Sequence, residues 1–237
     1  MMLLEEMTWT EIEAALEVTR TLILPVGATE EHGPHLPTFT DTIQALEVAK
    51  EVARRRAVFV APPVHYGVCR STRGFPGTIS ISPGALRALV SDLLTAFHDS
   101  GFERVLILTG HAGGQHLSAL KEAAEKAVAL RDIRVSLVSD FDLIDPREVE
   151  TPGDSHAKEI ETSRILVIRE DLVKGLPEKH FPPRPMYLIM RDVRPLMGNG
   201  VMGDPSRATR EKGERFMEMA VQGVLEALEE LETYPSP

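Results

Sequence analysis

The chain has 237 residues, 43% hydrophobic and 26% charged, with a formal net charge of −10 from 36 acidic and 26 basic side chains. This excludes a disordered chain, supplies apolar material for a sizeable core, and speaks against nucleic acid or an anionic membrane as partner, since both need clustered Lys and Arg. The single cysteine, Cys69, leaves no intrachain disulfide and no Cys-based zinc site, so a bound metal would draw on the eight histidines and on carboxylates.

No apolar run approaches the ~20 residues of a membrane span. Met1–Glu6 carries two acids and no base and does not read as a signal peptide, so the expectation is a cytoplasmic protein. Asn199 is the one asparagine, and Gln44, Gln115 and Gln222 are the only glutamines. Such depletion of thermolabile amides predicts a thermostable protein.

In chain order, Thr21–Val26 (TLILPV) is a short apolar run that predicts a buried strand. A helix is predicted over Thr40–Arg56 and a second strand over Ala57–Ala61. Ser82 is an N-cap with Pro83 at the first helical position. Leu86, Leu89, Val90, Leu93, Leu94 and Phe97 then recur at helical spacing, and Gly101 ends the run. Arg104–Thr109 and Arg134–Val138 predict two more strands, separated by a helix over His116–Arg131. Asp154–Ser163 opens a further helix. The last helix, Ala208–Leu231, carries Phe216, Ala220, Val224, Leu228 and Leu231 on one stripe. Pro and Gly cluster at Pro182–Pro185 and Pro195–Pro205, which read as long ordered loops over the core. The alternation predicts one α/β domain over 1–237, a layered fold with a mainly parallel β-sheet flanked by helices. Ligands of such sheets bind at the carboxyl ends of the strands.

The residues that follow the strands are chemically dense. After the first comes Gly27-Ala28-Thr29-Glu30-Glu31-His32-Gly33-Pro34-His35-Leu36-Pro37, with Asp41 near the start of the next helix. Glu30 and His32 are alternate residues and can face one point; Asp41 suits a helix N-terminus and could merely cap it. After the third strand comes Gly110-His111-Ala112-Gly113-Gly114-Gln115-His116. Its glycines could cradle a phosphate or simply allow a tight turn, and His111 is a candidate metal ligand. The third packet holds His156 and Glu161, which converge only if His156 lies on a loop or in the first turn. Mixed His and carboxylate ligands without thiolate suit Zn, Mn or Fe, and a carboxylate such as Asp41 can bridge two ions. Composition and spacing reach a metal-assisted hydrolase and no further.

LPVGATEEHGPHLP at Leu24–Pro37 with Asp41, then TGHAGG, then HAKEIETS, resembles the creatininase (creatinine amidohydrolase) family. Phe75-Pro76-Gly77-Thr78 and the Gly203–Gly213 stretch are similar to it as well. The resemblance implies a parallel-sheet α/β fold, two divalent metal ions per subunit, hydrolysis of amide C–N bonds and a homohexamer. It puts Glu30, His32, Asp41 and His111 at metal-ligand positions, with Asp41 as the bridge, and His156 at a catalytic, proton-moving position. Creatininase has a further carboxylate two residues after the His111 position, where this chain has Gly113; Glu161 is the expected replacement. Two tryptophans that flank creatinine in that enzyme correspond here to Phe141 and Pro152, and the single tryptophan is Trp9, so creatinine is not the expected substrate.

The expected function is therefore metal-dependent cleavage of a non-peptide or cyclic amide by metal-activated water. Gly113, Arg73 and Phe141 are the expected substrate-binding residues. Members of the family act on formamidopyrimidine rings and modified peptides, and Arg70-Ser71-Thr72-Arg73 could face an anionic group such as phosphate, which admits a formamide deformylase acting on a formamidopyrimidine-type nucleotide. Gly113 also admits a non-catalytic metal- or ligand-binding homologue, and the Gly110–Gly114 turn a nucleotide-binding protein. The expected partners are a small-molecule amide and further copies of the chain, with no nucleic acid and no membrane.

Overall fold

A computed structural model describes residues 1–151, 153, 155–183 and 187–234. Pro152, one of the two tryptophan-equivalent positions, lies outside them, as do Asp154 and Pro185. The elements run β1 (Met2–Leu3), α1 (Trp9–Leu16), β2 (Thr21–Val26), α2 (Thr40–Arg55), β3 (Phe59–Val60), α3 (Pro83–Asp99), β4 (Arg104–Thr109), α4 (Gly114–Leu130), β5 (Arg134–Ser139), α5 (Glu159–Ile168) and α6 (Arg210–Thr233). The sheet has five parallel strands in the order β1-β3-β2-β4-β5.

The predicted α/β layered fold is present. The second strand is shorter than expected, two residues of the apolar run Ala57–Ala61. The sequence reading assigned no elements before Thr21. There α1 is set by Thr8, whose hydroxyl accepts from Glu11 N–H while the Glu11 carboxylate accepts from Thr8 N–H. Ser82 caps α3 by accepting from Ala85 N–H, with Pro83 in its first turn. Between α5 and α6 the described chain forms short 3₁₀ turns and isolated β-bridges such as His180–Gly203, in keeping with the loops expected from its Pro and Gly.

Strand alternation sorts the apolar residues onto two faces. Ile23, Leu106 and Leu108 pack with α2 and α6 through Val48, Val52, Phe216, Val224 and Leu228. Leu22, Leu24, Val105 and Ile107 pack with α3 and α4 through Leu86, Val90, Leu94 and Leu120. Because α2 leaves β2 on one face and α4 leaves the adjacent β4 on the other, the β2 and β4 loops diverge. A crevice opens at their carboxyl ends, the topological switch point of the sheet. No helix among the described residues is long and apolar enough to cross a membrane.

Candidate active site

Three loops meet at that crevice. After β2, the backbone is pinned by Glu30 N–H to Thr38 O at 2.9 Å and Glu31 N–H to Thr78 Oγ1 at 2.9 Å, so the Phe75–Thr78 stretch serves as a clamp on this loop. Asp41 sits in the first turn of α2. That turn can approach both strand ends only because each strand is followed by a glycine. A Cβ at Gly27 would stand 2.2 Å from Thr42 Oγ1, and one at Gly110 would stand 2.0 Å from the Asp41 carbonyl oxygen. In the third loop, His156 precedes α5 and Ala157 adopts φ 52°, the one left-handed non-glycine residue described. This turn aims Ala157 N–H at the Glu161 carboxylate and lets His156 and Glu161, five residues apart, face the same crevice.

Glu30, His32, Asp41, His111, His156 and Glu161 are thereby brought together, each at most 8% exposed. The contacts fall into two sets that share Asp41. Asp41 Oδ1 lies 2.9 Å from His32 Nε2, which is 3.3 Å from Glu161 Oε1. Asp41 Oδ2 lies 3.1 Å from His111 Nδ1, which is 2.9 Å from Glu30 Oε2.

The donor atoms fit a metal. Ligands about 2.1 Å from one ion, at tetrahedral or octahedral angles, stand about 3.0–3.4 Å apart, which is the spacing found here. Glu30 Oε2, His32 Nε2 and Asp41 Oδ2 are buried without a hydrogen-bond partner among the described residues. The other ring nitrogen of each histidine is committed to a backbone carbonyl: His32 Nδ1 to Glu30 O at 3.1 Å and His111 Nε2 to Val68 O at 3.1 Å. Those carbonyls only accept, so each ring turns its lone pair towards the carboxylates, the usual orientation of a metal-ligating imidazole. Without a metal, burial disfavours charge on His32 and His111, but Asp41 with Glu161, and Glu30 with Asp41, hold both imidazoles well above their ordinary value. Burial also opposes charge on Asp41, yet the two imidazoles hold it below its usual range. The cluster seeks positive charge.

His156 makes none of these ion-pair contacts, although a ring nitrogen of it lies within 4.8 Å of ligand atoms of Glu30 and His32. Its Nε2 hydrogen-bonds Glu31 Oε1 at 3.3 Å, and its ring lies 4.4 Å from that of His32. A carboxylate accepts only, so Nε2 carries the hydrogen and Nδ1 is the nitrogen left to take a proton. Burial and the His32 charge lower its basicity, and the Glu31 hydrogen bond with the Glu30 and Glu161 carboxylates more than restores it, to a net value above the ordinary one.

A cavity of about 440 Å³ opens onto Glu30, Asp41, His111, His156 and Glu161. Gly113 and Phe141 line it. A Cβ at Gly113 would stand 2.6 Å from His111 Nε2, so the missing side chain leaves that ring its place, while Glu161 supplies a carboxylate from the opposite loop. Arg73 does not line this cavity; it lies in a neighbouring cleft with Arg70 and Arg191. The Gly110–Gly114 turn is no open cradle at its first four residues, being closed by Asp41 O and by the His111 ring itself.

Several neighbours escaped the sequence reading. Cys69 is fully buried with its sulfur within 4.8 Å of ligand atoms of Glu30 and His111, a place that its being a single cysteine gave no reason to expect. Burial and the Glu30 and Asp41 charges push its thiol pKa up. Thr72 donates its hydroxyl to Glu30 Oε1. Met190, Leu196, Met197 and Met202 form an apolar wall of the cavity, and no local pattern marks them in the sequence. His35 and His116, near the motifs but without a role, are held neutral by burial, to about 4 and about 3. They hydrogen-bond Thr162 Oγ1 at 2.9 Å and Thr109 Oγ1 at 3.2 Å.

A parallel sheet with buried imidazoles and carboxylates paired across its switch point defines a metal-dependent hydrolase. The profile of the Creatininase family, described as creatinine amidohydrolase, matches residues 5–228. The chain is 29% identical to the creatinine amidohydrolase of Pseudomonas putida, over 95% of either chain. It is 35% identical to the mycofactocin precursor peptide peptidase of Mycolicibacterium smegmatis, over 85% of this chain and 81% of that one. A solved structure described as "Creatininase Mn" superimposes with a TM-score of 0.89 at 28% identity, covering 98% of this chain and 99% of that one. This chain belongs to the creatininase family of amidohydrolases, hydrolases of carbon–nitrogen bonds.

Proposed function

We propose that the chain hydrolyses a non-creatinine amide at a centre of two divalent ions, with Glu30, Asp41 and His111 holding one and His32, Asp41 and Glu161 the other. The observation that carries this reading is Asp41 itself, whose two oxygens face different imidazoles at 2.9 and 3.1 Å. When bound, such ions lower the pKa of water and polarise a carbonyl. Zn, Mn and Fe all suit the donor set.

The chain's own part is positioning and proton transfer. Glu31 holds His156 at the cavity wall, and His156 takes a proton from the attacking water at Nδ1 and passes it to the leaving nitrogen. Gly113 leaves room for the carbonyl beside His111, and Phe141 with the methionines packs the apolar part of the substrate while keeping water out. Creatinine is a poor candidate because Phe141 stands at a tryptophan-equivalent position, and Trp9 is 74% exposed on α1. Residues 1–237 act as one domain, and the exposed Tyr187, Leu188 and Ile189 offer an apolar surface for contact between copies, which the resemblance implies to be a homohexamer. A cytoplasmic place belongs to the same proposal, as does thermostability, which the scarcity of amide side chains supports.

The test is an amide-hydrolysis screen with protein reconstituted in Zn, Mn or Fe, creatinine included. Release of amine or formate that chelation abolishes, with creatinine turned over poorly, is the expected result. Metal-independent turnover, or none on any amide, overturns the reading.

A further inference from the structure

Next to the cavity lies a cleft of about 210 Å³ that shares Met190 and Val193 with it. Its remaining walls are Arg70, Arg73, Gly74, Arg191 and Asp192. Arg70 is steered there by donating to Met190 O at 3.5 Å. Among the described residues, Arg70, Arg73 and Arg191 have no carboxylate within ion-pair distance. Surface arginines elsewhere do: Arg20 with Glu103 at 2.9 Å, Arg55 with Glu218 at 2.7 Å and Arg87 with Glu122 at 2.5 Å. The one acid among the described residues of the cleft, Asp192, accepts from Arg194 N–H at 2.9 Å. The Arg194 guanidinium is committed elsewhere, 3.7 Å over the Phe75 ring and donating to Gly198 O at 3.0 Å.

Among the described residues, three exposed arginines thus line one recess of a chain whose net charge is −10. Their mutual repulsion is relieved by an anion between them, and a recess focuses that field. Guanidinium forks match phosphate and carboxylate oxygens in pairs. We infer that this cleft binds an anionic group of the substrate, a phosphate or a carboxylate, while the amide reaches the Glu30–Asp41–Glu161 end of the cavity across Met190 and Val193. The substrate class is therefore an anionic amide. This assignment rests on the proposed hydrolase reading; the anion site itself rests on the arginines.

Calorimetric titration of the metal-loaded protein with inorganic phosphate, and separately with succinate, tests it in wild type and in Arg70→Gln/Arg191→Gln. The double variant is expected to bind the preferred anion at least about tenfold more weakly, at unchanged metal content and melting temperature. Tighter phosphate indicates a phosphorylated amide, and tighter succinate a carboxylated one. Anion affinity to the metal centre is common to both proteins and cancels in the comparison. Equal affinity in wild type and variant overturns the assignment. Should the double variant not fold, Arg73→Gln alone is read in the same way. Arginine-dependent anion binding in a protein inactive on every amide would sink the hydrolase reading and leave the cleft. An active amidase without it sinks the cleft alone.

Discussion

His156 donates from Nε2 to Glu31 Oε1 at 3.3 Å across 125 positions of sequence. The bond decides which ring nitrogen can exchange protons with a substrate. His156→Ala is expected to lower kcat by about 10²–10⁴-fold, the usual contribution of a general acid or base, with metal content unchanged. Glu31→Gln keeps the ring in place but can present its amide to Nε2, and is expected to cost less, about tenfold in kcat. Steady-state kinetics with elemental analysis checks both; full turnover by the alanine variant removes His156 from the reaction.

Asp41 is common to both sets of contacts, so its loss acts on both. Asp41→Asn is expected to lose both ions, measured as metal per chain after dialysis. A variant that keeps two ions rules out the bridging role.

Glu30 and Glu161 stand on opposite sides of Asp41. Glu30→Gln is expected to lose the ion next to His111, and Glu161→Gln the ion next to His32, each leaving about one ion per chain. Equal occupancy in Glu161→Gln and wild type would show that Glu161 does not stand in for the side chain absent at Gly113.

A Cβ at position 110 meets backbone, which cannot swing aside, whereas one at Gly114 meets nothing within 4 Å. Gly110→Ala is expected to destabilise by at least about 1–3 kcal/mol. For a chain of this size that lowers Tm by roughly 2–4 °C per kcal/mol. Gly114→Ala, at the first position of α4, is expected to be neutral or to stabilise by under about 1 kcal/mol. Differential scanning of the pair checks the contrast.

Glu159, at the start of α5, accepts from Lys212 Nζ at 2.8 Å and from Thr151 N–H at 2.7 Å. Burial raises its pKa, but Lys212 and the Glu150 and Thr151 donors outweigh burial and hold the carboxyl below its ordinary value. The folded state therefore favours the charged form more than the unfolded state does, and that stability is lost as pH falls through the carboxylate range. Glu159→Gln is expected to be less stable than wild type by about 1–3 kcal/mol at pH 7, with the gap narrowing below about pH 4. Urea titrations at pH 7, 5 and 3.5 measure it; a gap that widens in acid contradicts the assignment.

The sequence alone determined the order of strands and helices from Thr21 onward and the donor types that follow them. TLILPV and RVLILT are apolar on both faces, which only a sheet covered on both sides can bury, and GATEEHGPHLP carries imidazole and carboxylate where such a sheet opens. The shortening of Ala57–Ala61 was not legible, because pairing there depends on β1, a two-residue strand with no pattern of its own. Tertiary structure decided which atoms meet. Glu161 reaches His32 because Ala157 turns left-handed, and Asp41 reaches both imidazoles because Gly27 and Gly110 let α2 close on two strand ends at once. Arg73 joins Arg70 and Arg191 instead of the cavity, and Cys69 sits beside the carboxylates. Those meetings join segments distant in sequence, and their distances follow from packing around a shared core, which no local spacing encodes.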